Sequence, residues 1–158
     1  MNKKAELFNQ YIDTLPGEDI FSIQEMQDDF GTVLFRSSLE VKKGYQVPMI
    51  VALDETPYSI IRVWAALRSV TAENSAMIAD YINQMNRNFK SFKYYVNEDG
   101  DLVLDAVVPC MPAHFDPKLM TEIIDDVYAH LQEVYPLIEN SVGHEMGVPQ
   151  ADEGETEE

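Results

Sequence analysis

Residues 32–67 read TVLFRSSLEVKKGYQVPMIVALDETPYSIIRVWAAL, and the fold class turns on them. The first ten residues alternate: Val33, Phe35, Leu39 and Val41 share one side, while Arg36, Ser38 and Glu40 share the other. That period of two predicts a strand over 32–41 with one buried face. Lys42-Lys43-Gly44 supplies a turn, because glycine accepts positive φ without a steric cost. Tyr45–Leu53 is the next strand, and Asp54-Glu55-Thr56-Pro57 turns the chain again. Tyr58–Leu67 holds Ile60, Ile61, Val63 and Trp64, too many β-branched and aromatic residues for a preferred helix.

Working outward, Phe21, Ile23 and Met26 mark a weak strand before this block. Ahead of it, residues 3–14 carry Leu7, Phe8, Tyr11, Ile12 and Leu15 at helical spacings, and Pro16-Gly17 ends the helix. After the block, Thr71 is positioned to cap a helix over 72–87, whose apolar residues include Ile78, Ile82 and Met85. Phe92–Val96 and Leu102–Val108 are two further strands around Asn97-Glu98-Asp99-Gly100-Asp101, where Asp-Gly signals a hairpin. Asp116-Pro117 opens a long helix with a capping residue followed by proline at its first position. Pro136 is expected to kink or break the last turns of that helix. The order is helix, four strands, helix, two strands, long helix, which predicts an α+β class with a mostly antiparallel sheet. One domain over 1–143 is expected. Residues 144–158 carry six acids and no lysine or arginine, so they are expected to be a disordered acidic tail.

The 158 residues hold 11 Lys plus Arg against 28 Asp plus Glu, a formal net charge of -17. Such a field repels nucleic-acid backbones and anionic lipid surfaces alike. No apolar run approaches the ~20 residues a membrane span needs, and no apolar core follows Lys3 and Lys4 as a secretion signal would require. Cys110 is the single cysteine, which excludes an internal disulfide and fits a reducing, cytoplasmic setting.

Catalytic and metal-binding patterns are thin. Cys110, His114, His130 and His144 lack the spacing of a zinc site. The Asn97–Asp101 stretch lacks the downstream glutamate of a calcium loop and reads as a turn. Asp29-Phe30-Gly31 copies a kinase tripeptide without a glycine-rich loop or catalytic loop to accompany it. Asp125 and Asp126 are neighbours on a helix and point in different directions, so they form no catalytic dyad. The reading is a non-enzyme with no cofactor and no metal.

The sheet itself is more informative. Tyr45, Val47, Met49, Val51 and Leu53 fill one side of their strand, yet Ile50 and Ala52 add apolar surface to the other. In the next strand Tyr58, Ile60, Arg62 and Trp64 oppose Ile61, Val63 and Ala65. Three helices covering both faces would absorb this surface; otherwise it is left for a partner, a peptide or a second subunit. Tyr58, Ile60, Arg62 and Trp64 therefore form a candidate partner-binding set, since Trp, Tyr and Arg dominate binding hot spots.

Residues 81–89, YINQMNRNF, run into 92–104, FKYYVNEDGDLVL. This pattern, with a helix ending in Asn-Arg, a strand, an acidic Asp-Gly turn and a second apolar strand, resembles the YbjN-like family of bacterial proteins. Val134-Tyr135-Pro136-Leu137-Ile138 near the end of the long helix is similar too. The motif covers about thirty residues and the order of elements nearly the whole chain. The resemblance implies a type III secretion chaperone-like fold and a role described only as putative sensory transduction regulation. Chaperones of that fold are dimers that bind extended client segments, which implies a homodimer and adds Phe8 and Tyr11 as a groove wall. The alternatives are a small-ligand-binding protein or enzyme with an unrecognised pocket, and a purely structural dimer.

Overall fold

The computed structural model describes residues 1–17, 20–142 and 148–149. Helix α1 (Lys3–Ile12) leads to strands β1 (Ser22–Glu25), β2 (Val33–Lys42), β3 (Tyr45–Leu53) and β4 (Tyr58–Ala66). Helix α2 (Ser75–Asn88), strands β5 (Lys93–Val96) and β6 (Leu102–Pro109), helix α3 (Pro117–Val142) and a two-residue β7 (Val148–Pro149) follow. The class is α+β, with every strand pairing antiparallel in the order β1-β2-β3-β4-β6-β5.

The 32–67 stretch builds the middle of this sheet. β2 and β3 form a hairpin closed at Lys42 and Tyr45, with Gly44 at φ 82°. The next turn is held by Asp54, whose carboxylate accepts from the Thr56 amide at 2.9 Å. The chain then leaves β4, forms α2, and returns through β5 so that β6 lies against β4. The Asp-Gly turn between β5 and β6 has Gly100 at φ 78°. Asn97 accepts there from the amides of Asp99 and Asp101 at 3.1 and 2.9 Å.

Three details differ from the sequence reading. α1 stops at Ile12; the Asp13 amide still bonds Asn9 four residues back, but the amides of Thr14 and Leu15 bond three residues back, to Tyr11 and Ile12. This tightened turn satisfies the last carbonyls before Pro16-Gly17. α2 starts at Ser75, three residues later than the expected first turn, because Asn74 is committed to a preceding turn. Its side-chain oxygen takes the Thr71 amide and its nitrogen donates to the Ser69 carbonyl. α3 runs unbroken through Pro136 to Val142. Pro136 and Gln132 sit on the exposed side, where water can take the carbonyl that proline leaves unbonded. Tyr135, Ile138 and Val142 remain buried beyond or beside it and hold the last turns down.

The core lies on one side of the sheet. Val33, Phe35, Leu39 and Val41 of β2 join Val51, Ile61 and Leu104 there, with Phe8 of α1, Ile78 of α2 and Leu131 of α3. Phe8 packs edge-on to Phe35 at 4.9 Å between ring centroids. All three helices therefore cover the same face, and among the described residues no element covers the other. The acidic tail expected from residue 144 lies outside the described residues apart from Val148–Pro149, which pair with Tyr45 and Gln46. Among the described residues no helix is long and apolar enough to cross a membrane.

Candidate functional site: the bare face of the sheet

Register places the side chains of the uncovered face in rows. The first row runs Leu34, Ala52, Ile60, Val107 across four strands. The second runs Arg36, Ile50, Arg62, Asp105. In a third, Trp64 of β4, Val103 of β6 and Tyr95 of β5 are successive cross-strand partners. Val103 is 1% exposed although it stands apart from the core cluster. Its cross-strand neighbours on the bare face are the aromatic residues Trp64 and Tyr95. Tyr58 and Val107 are 57% and 49% exposed, far above what an apolar residue in mid-sheet normally retains.

Arg62 is the polar centre of this surface. Its Nε and Nη2 donate to the two oxygens of Asp105, both at 2.8 Å, a bidentate pair. The Tyr95 hydroxyl donates to the same carboxylate at 3.3 Å. Hydrogen bonding to Asp105 raises the Arg62 pKa above its ordinary value, against the opposing effect of burial. Burial, then the Asp105 charge, raises the Tyr95 phenol. The guanidinium is thus occupied in the free protein and serves to fix the Tyr95 and Asp105 side chains in place. Arg36 has no acidic partner among the described residues; its Nε donates to Gln24 at 3.0 Å.

Of the six residues singled out from sequence, the structure brings four together. Tyr58, Ile60, Arg62 and Trp64 share the bare face of β4, with Trp64 half-buried rather than part of the core. Phe8 and Tyr11 do not join them. Phe8 is fully buried on the opposite side, between Phe21 and Phe35. Tyr11 is half-buried beside a cavity of about 320 Å³ whose wall includes Leu15, Phe21 and Ile124. A groove built from α1 and the Trp64 face is excluded, because the whole core separates them. Tyr95, Asp105 and Val107 belong to the surface and were not singled out. For Val107 the sequence signal is only the apolar character of both sides of residues 102–108, and it needed the β4–β6 pairing to acquire a location.

Among the described residues no group of three His, Cys, Asp or Glu side chains is placed to hold a metal ion. Cys110 donates to the neighbouring Met111 carbonyl at 3.3 Å. Asp29-Phe30-Gly31 is a turn, with Asp28 accepting from the Phe30 and Thr32 amides. Asn86, in the Asn-Arg motif at the end of α2, clasps β5 by taking the Tyr94 amide at 2.8 Å and donating to its carbonyl at 3.0 Å. His130 is 6% exposed on α3, packed on Phe89 and Phe92, with its Nε2 2.7 Å from the Tyr94 hydroxyl. Burial lowers its pKa to about 4. Lys4 is 1% exposed and donates to Ser59 Oγ at 3.2 Å and to the Thr56 carbonyl, tying α1 to the start of β4.

No family model matches the sequence, and no curated protein matches it either.

Proposed function

We propose that this protein is a non-enzymatic, cytoplasmic protein- or peptide-binding module of the YbjN-like, chaperone-like kind, and that it binds through the bare face of its sheet. The observation that carries the reading is the one-sided placement of α1, α2 and α3. It leaves Tyr58 and Val107 exposed and Leu34, Ile50, Ile60 and Trp64 half-buried on the side of the central strands that no helix covers. An antiparallel sheet with a permanently wet face normally presents polar residues there. Contiguous apolar surface that stays exposed marks an interaction site. The aromatic residues add large contact area at low entropic cost, and the Arg62–Asp105–Tyr95 network holds the centre of the surface rigid. The YbjN-like resemblance of residues 81–104 supports the same class, since it implies a binding role and supplies no catalytic residue.

The test compares proteins captured from the native host by the immobilised chain and by an Ile60→Glu variant whose circular dichroism matches the parent. The proposal expects specific captured proteins to disappear with the variant. Identical capture by both would overturn the assignment to this face.

A further inference from the structure

We propose that the cavity between the end of α1 and the start of α3 binds a small organic amine, an ammonium group carried on an aromatic or branched aliphatic body. The site lies on the helical side of the molecule and does not rest on the bare face. One wall is apolar: Tyr11 and Leu15 come from the end of α1 and the turn after it, and Ile20 and Phe21 lead into β1. The other wall is polar. Lys118, Thr121, Glu122 and Asp125 recur at intervals of three and four along α3, so they share one face of that helix. The volume is about 320 Å³, within the ~300–1,000 Å³ range of small-molecule sites. The apolar wall is not closed by packing, since Leu15 is 37% and Ile20 61% exposed. Apolar walls with a few polar groups to fix orientation are what a small-molecule site needs.

Charge selects the class of ligand. Lys118 is paired with Glu122 at 3.6 Å. The Asp125 carboxylate and the Tyr11 hydroxyl have no hydrogen-bond or ionic partner among the described residues. The unpaired charge in the cavity is therefore negative. A carboxylate or phosphate ligand would meet Asp125 with no free cation to offset it. An ammonium finds an acceptor in that carboxylate and a second one in the phenol oxygen. The rings of Tyr11 and Phe21 favour a cation as well. Leu15, Ile20 and Phe21 also wall a neighbouring cavity of about 430 Å³ bordered by Asp13, so an acid stands on each side of the apolar wall. The net charge of -17 attracts any ammonium to the whole surface. Selectivity for this cavity therefore comes from the apolar body of the ligand.

Backbone-amide NMR of the full chain, titrated with 2-phenylethylamine, reads the site directly. Two comparison compounds separate its parts: 2-phenylethanol lacks the charge and ethylamine lacks the ring. The expected result is saturable shifts confined to residues 11–15, 20–21 and 118–125, with a dissociation constant on the order of a millimolar for so small a probe. Both comparison compounds should bind at least about tenfold more weakly. Asp125→Asn, at an exposed position of α3, should weaken the amine about tenfold and leave 2-phenylethanol unchanged, a split that general damage to the fold would not produce. Leu15→Asn should weaken the amine and the alcohol alike. Ile60→Glu should bind the amine as the parent does, so this site and the bare face stand or fall separately. Absence of saturable shifts, shifts centred on other residues, equal shifts with ethylamine, or undiminished amine binding by Asp125→Asn would overturn the proposal.

Discussion

Acidification should destabilise this protein through His130. The imidazole is 6% exposed, enclosed by Phe89, Phe92 and Tyr94, and its Nε2 meets the Tyr94 hydroxyl at 2.7 Å. Burial penalises the charged ring and moves its pKa from 6.5 down to about 4. The unfolded chain therefore binds a proton at a pH where the folded chain does not. Stability from this group is fully present above the unfolded pKa and is lost as pH falls from 6.5 toward 4. Linkage over that window makes the loss about 2 kcal/mol between roughly pH 7 and pH 5, approaching ~3 kcal/mol at lower pH. The net charge of -17 works in the opposite sense, because protonation of carboxylates relieves self-repulsion. The two effects separate by comparison with His130→Gln, which keeps an acceptor for the Tyr94 hydroxyl and removes the titration. Urea unfolding followed by circular dichroism at several pH values should show the parent losing more stability than the variant, by about 2 kcal/mol at roughly pH 5. Equal pH dependence in the two proteins, or a native-state titration of His130 near its ordinary value, would refute the reasoning.

Gly100→Ala should cost about 1–3 kcal/mol, measured by chemical denaturation, because the residue sits at φ 78° and the new Cβ would stand 2.9 Å from the Val70 carbonyl oxygen. Lys4→Ala should destabilise by roughly 2–3 kcal/mol: it removes a buried stem and strands the Ser59 hydroxyl, whereas Lys4→Arg at the same site should fail by overpacking. Trp64→Ala should leave the protein folded with a loss near 1–2 kcal/mol, below the ~3–5 kcal/mol of a fully buried aromatic; a melting curve showing outright unfolding would place Trp64 in the core instead.

The elements that were legible in the sequence are those whose cause is local. The alternation of 33–41, the Lys43-Gly44 turn, the Asp99-Gly100 turn and the Asp116-Pro117 helix start each depend on a few adjacent residues, and each lies where the sequence placed it. The departures have distant causes. The start of α2 depends on Asn74 reaching back to the Ser69 carbonyl. The survival of α3 past Pro136 depends on Tyr135, Ile138 and Val142 finding a core to pack on. The pairing of Arg62 with Asp105 spans 43 residues and required α2 and β5 to be placed first. Phe8 and Tyr11 were grouped with Trp64 through resemblance, and only the side of the sheet on which α1 docks could separate them.

That docking side also resolves the central ambiguity of the 32–67 stretch. Two apolar faces on β3 and β4 are compatible with a sheet sandwiched between helices, and three amphipathic helices are available to make one. The Lys4 and Asn2 anchors decide against it for α1: Lys4 is tied to Ser59 on the core face of β4, and Asn2 donates to the Leu53 carbonyl at 2.7 Å. α3 is held to the same side by its long buried stripe from Met120 to Val142. α2 follows because Ile78 and the Asn86 clasp on Tyr94 seat it against β5 and α3. Each helix is committed by its own contacts, so none is free to cover the second face. The apolar residues there are consequently not surplus core. They lie on the side of the sheet that none of the three helices covers, and removing them singly should alter partner binding far more than folding.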